Sequence, residues 1–90
     1  MTRFMQPYRL IDCGFHDELE ALATLRQRCP IVYQDVDGVT QTVESRIVDV
    51  YAQGGADFIK LQTGTIIRAD YLLSVDGKAI AFANSPYSCA

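Results

Sequence analysis

Four glycine-containing turn signals divide the chain after Pro30 into short segments, and their spacing limits the possible folds more than any other feature. The signals are Asp37-Gly38, Gly54-Gly55, Thr63-Gly64 and Asp76-Gly77. Between them the apolar residues recur with a period of two, which is typical of β-strands. The pattern predicts strands at 31–36, 39–52, 57–62, 65–69 and 72–76, with a possible sixth at 78–83.

The second predicted strand is unusually long, about 14 residues against a common length of 5 to 6. Such a strand must bend if it is to serve both halves of a small closed sheet. We place the bend at Ser45-Arg46. The turn before this strand, Asp37-Gly38, favours a type I′ hairpin, because both central residues of that turn need a positive φ.

One amphipathic helix precedes the strands. If it begins near Asp17, its apolar and polar residues separate onto two sides, and Pro30 ends it, which predicts a helix over 17–29. The apolar side holds Phe15, Leu19, Leu22, Leu25 and Cys29, and the polar side holds Asp17, Glu20, Thr24 and Gln27. Two interpretations of the acidic pair stay open: Asp17 caps the helix and Glu20 closes a capping box, or the two carboxylates bind a partner.

The chain length of 90 residues allows a single domain with one thin core. The predicted fold is mainly β with one N-terminal α-helix, a small Sm-like or SH3-like barrel of five, possibly six, bent antiparallel strands. We divide the chain into a flexible N-terminus at 1–9, a single domain at 10–84 and a tail at 85–90.

Charge and composition narrow the class of function. A net charge of −3 opposes phosphate and favours a protein partner over nucleic acid. Three cysteines without a C-x-x-C motif argue against a disulfide framework and for a reducing compartment, so we expect the cytoplasm. No apolar run approaches the ~18 residues of a membrane helix, and the N-terminus does not read as a signal peptide.

The residues with the chemistry for catalysis or metal binding are few. Cys13 and His16 have a C-x-x-H spacing that could begin a zinc site with Cys29 and Asp12, but this set is poorer in sulfur and histidine than usual structural zinc sites. The same cysteine and histidine lack the orienting group and oxyanion donors of a nucleophilic pair. We therefore expect no catalytic residues, no metal, no cofactor and no enzymatic activity.

Several motifs resemble those of the Rho-binding antiterminator family (Rof), small bacterial proteins that inhibit the transcription termination factor Rho. The resemblance extends over roughly residues 8–76 and implies the same Sm-like fold. It is specific at Tyr8, Ile11-Asp12-Cys13, His16-Asp17, Leu19-Glu20, Asp37-Gly38 and Arg68-Ala69-Asp70.

The resemblance also implies a function and a partner. Rof proteins dock on Rho, a hexameric RNA helicase, near its primary RNA-binding site and block RNA loading. This implies a monomeric regulator of transcription that competes with RNA, binds no DNA and no membrane, and causes antitermination. The implied partner-binding residues are Asp12, His16, Asp17, Glu20 and Thr24 around the helix, and Gln53, Gly54 and Asp57 in the loop after the second strand. That loop departs from the family pattern by having two glycines and an aspartate.

Other interpretations of the same residues remain open. Arg68 and Asp70 are expected to form an internal ion pair that ties the fourth strand to the following turn. The chain could instead be a stand-alone Sm-like RNA-binding module or an Sm-like adaptor for another protein. The aromatic residues that could stack on bases, most of which we expect in the core, are Tyr33, Tyr51, Phe58, Tyr71 and Phe82.

Overall fold

The computed structural model describes residues 8–83, where one α-helix precedes six strands. The predicted tail at 85–90, and most of the predicted flexible N-terminus, lie outside this range. No helix within it has the length and apolarity needed to cross a membrane. The elements are α1 (Cys13–Leu25), β1 (Arg28–Gln34), β2 (Thr40–Gln53), β3 (Ala56–Leu61), β4 (Ile66–Arg68), a 3₁₀ turn (Ala69–Tyr71), β5 (Leu72–Val75) and β6 (Lys78–Ala79).

The six strands form one antiparallel sheet in the order β4-β3-β2-β1-β5-β6. The meander from β1 to β4 is followed by a return of the chain to β1, where β5 pairs on the open side. Because β4 and β5 are separated by three strands in the sheet but joined by only the three residues Ala69–Tyr71, the sheet must curl on itself. The predicted class, a mainly β small barrel with one N-terminal helix, is confirmed.

The long second strand serves both halves of the sheet. Its first half, from Thr40 to Arg46, pairs with β1, and its second half, from Ile47 to Gln53, pairs with β3. The register shifts between Ile47 and Asp49, which marks a β-bulge, and bulges bend a strand. The change of partner comes directly after Arg46, where the sequence predicted the bend.

The helix begins four residues earlier than predicted. Asp12 is the N-cap, and its Oδ2 accepts a hydrogen bond of 2.8 Å from the N–H of Gly14. A Cβ at Gly14 would lie 2.9 Å from this oxygen, so glycine allows the cap to form. The prediction that Asp17 caps the helix and Glu20 closes a capping box is wrong, because both residues lie inside the helix.

The helix also ends earlier than predicted, at Leu25 and not near Pro30. Arg26 takes the left-handed conformation, with a φ of +52°, and its N–H bonds to the carbonyl of Leu22. Leu25 is 68% exposed and Cys29 belongs to β1, so neither extends the buried side of the helix as predicted. The left-handed residue reverses the chain into β1 before Pro30 is reached.

Replacing Arg26 by glycine is expected to raise the free energy of unfolding by about 0.5–1 kcal/mol. Glycine adopts the left-handed conformation without the Cβ clash, and the exposed Arg26 loses only a 3.2 Å bond from Nε to the carbonyl of Ala23. Urea denaturation followed by circular dichroism measures the change. Gln27→Gly is the control and should not stabilise the protein. An Arg26→Gly variant less stable than the parent would contradict the argument.

The turn at Asp37-Gly38 is not the predicted type I′ hairpin. Gly38 has a φ of +81°, Asp37 does not have a positive φ, and the N–H of Gly38 bonds to the carbonyl of Asp35 at 2.9 Å. The side chain of Asp35 holds this form by accepting from the N–H groups of Asp37 and Val39. Positive φ at both central residues, as a type I′ turn requires, occurs instead at Gly54-Gly55 and Asp76-Gly77.

The core is mainly aliphatic. Three helix residues, Phe15, Leu19 and Leu22, pack onto the interior of the curled sheet. Of the five aromatic residues considered above, Tyr71 is buried in the core, and Tyr33 and Phe82 are partly buried and pack against it. Tyr51 and Phe58 are partly exposed and do not belong to this cluster. The core residues outside the helix are Ile11, Cys29, Ile31, Ile47, Ile59, Leu61, Ile67, Ala69, Tyr71, Leu72 and Val75.

Candidate functional site

The solvent side of α1 carries four of the predicted partner-binding residues: His16, Asp17, Glu20 and Thr24. We call them the acidic face. Burial of the opposite side fixes the rotation of the helix and turns these residues outward. Asp17, Glu20 and Thr24 are exposed, and His16 is half-buried. One side-chain nitrogen or oxygen from each of His16, Asp17 and Glu20 lies within 4.8 Å of the others, so charge is concentrated here.

The fold makes little use of these carboxylates. Asp17 forms no ion pair with any residue of 8–83, and Glu20 contacts the Nδ1 of His16 at 3.7 Å. Glu18, on the same helix, behaves differently, because its Oε1 lies 2.7 Å from the Nζ of Lys78. Since Asp17 and Glu20 are not helix caps, capping does not explain why these two carboxylates are present.

A shallow groove of about 450 Å³ separates the acidic face from the second half of β2. Glu20 and Thr24 line it from the helix, and Asp49 lines it from the strand. Sequence analysis missed Asp49, which is exposed just after the bulge in β2. The signal was a single carboxylate in the otherwise apolar stretch at 47–51. Arg26 also lines the groove, so its charge is mixed at that point.

Asp12 and Asp57, two other predicted contacts, are half-buried and hold the fold together. Asp12 caps the helix, as described above. The Oδ2 of Asp57 accepts a hydrogen bond of 3.1 Å from the hydroxyl of Tyr8. Burial, followed by the nearby Asp57 carboxylate, raises the pKa of Tyr8 far above its usual value, so Tyr8 remains the donor.

Gln53 and Gly54 are exposed at the turn between β2 and β3. Gln53 follows Val50, a residue of the groove, by three positions, which is roughly 10 Å along a strand. The second half of β2 thus connects the groove beside the acidic face with the loop that sequence analysis predicted as a second contact.

The predicted internal pair between Arg68 and Asp70 is present. Nε of Arg68 lies 2.6 Å from Oδ1 of Asp70, and its NH2 group lies 2.9 Å from Oδ2. The hydrogen bonds to Asp70 raise the pKa of Arg68 above its already high value. Oδ2 of Asp70 also accepts from the N–H of Arg9 at 3.0 Å. The pair therefore stabilises the fold and is not an exposed binding surface.

The cysteines do not assemble the zinc site considered from the sequence. Cys13, the first residue of the helix, takes part in a disulfide, so its sulfur is committed. Cys29 is a free thiol buried in β1, and this burial raises its pKa. This disulfide contradicts the expectation that the cysteines form none, so the argument from the cysteines for a reducing compartment loses its basis. Cys89 lies outside the described residues.

Comparisons with known proteins add no relative: no protein-family model, no curated protein and no solved structure matches the chain. The resemblance to the Rof family therefore rests on the motif residues alone.

Proposed function

We propose that the protein is an inhibitor of the transcription termination factor Rho. The acidic face docks near the primary RNA-binding site of Rho, RNA loading is blocked, and transcription continues past the terminator. The observation that carries the proposal is the exposure of Asp17 and Glu20 on a helix that does not need either carboxylate for capping. The motif residues shared with the Rof family supply the identity of the partner.

The physical basis is imitation of a polyanion. A surface that holds RNA must present lysine or arginine side chains to the phosphates. Carboxylates form short, charge-assisted hydrogen bonds with the same side chains. The net charge of −3 favours the encounter over long range, and Asp49 adds a second acidic element beside the helix.

The proposal places the protein in the bacterial cytoplasm as a monomer that competes with RNA and catalyses no reaction. A disulfide such as that of Cys13 is uncommon in a reducing cytoplasm. Binding is therefore measured both with and without a thiol reductant. The acidic face lies on one helix whose packing depends on Phe15, Leu19 and Leu22, so we expect binding under both conditions.

The first experiment is displacement of RNA from Rho. A fluorescent single-stranded RNA is bound to purified Rho, and the protein is titrated into the complex. We expect the anisotropy of the RNA to fall to its free value, while the protein alone leaves the anisotropy of free RNA unchanged. RNA that stays on Rho at saturating protein would contradict the proposal. Direct RNA binding that weakens steeply with salt would favour the RNA-binding module instead.

A further inference from the structure

A second cavity lies away from the acidic face, between β4 and the C-terminal end of β1. We call this cavity of about 400 Å³ the edge groove. Its lining is mainly apolar and aromatic. The residues that matter for the argument are Tyr33, Asp35, Val36, Phe58 and Ile66.

The two walls of the edge groove are both open strand edges. Among the described residues, β4 pairs with β3 and with no strand on its other side. The N–H of Leu61 bonds to the carbonyl of Thr65, so these two residues form a hydrogen-bonded pair. Hydrogen-bonded and non-hydrogen-bonded pairs alternate along antiparallel strands, and the next pair is Lys60 with Ile66. The N–H and C=O of Ile66 therefore point away from β3. On the opposite wall, the pairing of β1 with β5 stops at Tyr33.

The side chains at this opening are unusually apolar for an exposed position. Ile66 is 54% exposed and Val36 is 47% exposed. Phe58 and Tyr33 are partly exposed in the same groove. Proteins normally protect an open strand edge with charge, proline or a covering segment, and exposed apolar residues beside such an edge mark an interaction surface.

A fixed negative charge stands at the rim. The carboxylate of Asp35 accepts hydrogen bonds from the side chain of Gln41 and from the N–H groups of Val39 and Asp37. These bonds, with that from Gln41 first, lower the pKa of Asp35. Asp35 is therefore ionised at neutral pH and favours a cationic neighbour. Arg68 also lines the groove, but its guanidinium is bonded to Asp70.

We propose that the edge groove binds an extended peptide segment of another protein. The segment adds a strand to the open edge of β4 through the N–H and C=O of Ile66. It places an apolar side chain on Tyr33 and Phe58, and a lysine or arginine next to Asp35. This mode, addition of a strand to a sheet edge, obtains affinity from the main chain and specificity from alternate side chains. The surface is separate from the acidic face, so the proposal does not depend on Rho.

The probe is a synthetic heptapeptide of alternating valine and threonine with a central leucine and a lysine at each end. It is titrated into the ¹⁵N-labelled full chain, and amide chemical shifts are followed. We expect saturable shifts at residues 33–36 and 65–68, with a Kd on the order of 0.1–1 mM. The absence of saturable shifts in this concentration range would overturn the proposal, as would saturable shifts confined to α1.

Matched variants test the strand addition itself. Ile66→Pro removes the outward N–H while sparing the ladder to β3, and Ile66→Val keeps it. We expect Ile66→Pro to weaken binding about tenfold relative to Ile66→Val. A peptide methylated on its central amide nitrogens should lose affinity by a similar factor, which keeps the test valid if Ile66→Pro does not fold.

Two further results would count against the proposal. A peptide with glutamate in place of the terminal lysines should bind several-fold more weakly, and equal affinity would overturn the assigned role of Asp35. The chemical shifts of the same amides could also change with protein concentration in the absence of peptide, together with a dimer in sedimentation. That result would make a second copy of the chain the occupant of the edge groove and overturn the peptide assignment.

Discussion

Replacing both Asp17 and Glu20 by lysine is expected to weaken binding to Rho by about 100-fold or more, while the fold remains intact. Each reversal turns an attraction to a basic surface into a repulsion, and about 1.4 kcal/mol per residue corresponds to a tenfold loss. The fold should tolerate the change, because both side chains are exposed and neither caps the helix. Glu20 loses its 3.7 Å contact with His16, which is a surface interaction of small effect.

Asp37→Lys is the matched control for this prediction. It makes the same change of charge as either single reversal, Asp17→Lys or Glu20→Lys, at an exposed residue in the turn between β1 and β2, outside the acidic face. Affinity is measured by RNA displacement from Rho, and folding is checked by the thermal midpoint. We expect the single variant Asp49→Lys to fall between the control and the double reversal. Unchanged affinity in a folded double variant would remove the acidic face from the proposed mechanism.

The fold class was predictable because local patterns agreed with the tertiary structure over most of the chain. The period of two and the glycine turns gave the strands, and the length of β2 predicted a change of partner near Arg46. The pair of Arg68 and Asp70 was predictable because an arginine and an aspartate two residues apart can reach each other without help from the rest of the chain.

The start of the helix was not predictable from local sequence. Asp17 with Glu20 three residues later imitates a capping box, whereas Asp12 is the true cap. The N–H of Asp12 bonds to the carbonyl of Ala81, and Ile11 forms a bridge with Phe82. Contacts with a segment about 70 positions later thus fix where the helix begins. The early end of the helix was missed because it depends on Arg26 taking the left-handed conformation, which is usually taken by glycine and sometimes by asparagine.

The candidate site was predictable in part for the same reason. Helical periodicity placed Asp17, Glu20 and Thr24 on one outward side even though the first residue of the helix was misjudged, because periodicity does not depend on the terminus. Asp49 could not be assigned to that surface, because its position depends on a bulge and on the packing of α1 against β2. The structural roles of Asp12 and Asp57 equally depend on contacts distant in sequence, since the backbone N–H of Asp12 bonds to Ala81 and the carboxylate of Asp57 accepts from Tyr8.

Asp70→Ala is expected to lower the free energy of unfolding by about 3–5 kcal/mol, the largest effect of any single substitution considered. The side chains of Arg68 and Asp70 are 12% and 5% exposed, so loss of the carboxylate leaves a cation with little access to water. The N–H of Arg9 loses its acceptor as well. For a domain of this size the thermal midpoint should fall by about 15 °C or more.

Two comparisons separate this explanation from a general sensitivity to charge removal. Glu44→Ala breaks the exposed pair with Arg28, whose closest atoms are 3.4 Å apart, and should cost no more than about 1 kcal/mol. The double variant Arg68→Met, Asp70→Leu removes both charges and should recover most of the stability lost in Asp70→Ala, because no buried charge is left without a partner. If chemical denaturation shows Asp70→Ala to be no more harmful than Glu44→Ala, the pair is not an internal support of the barrel.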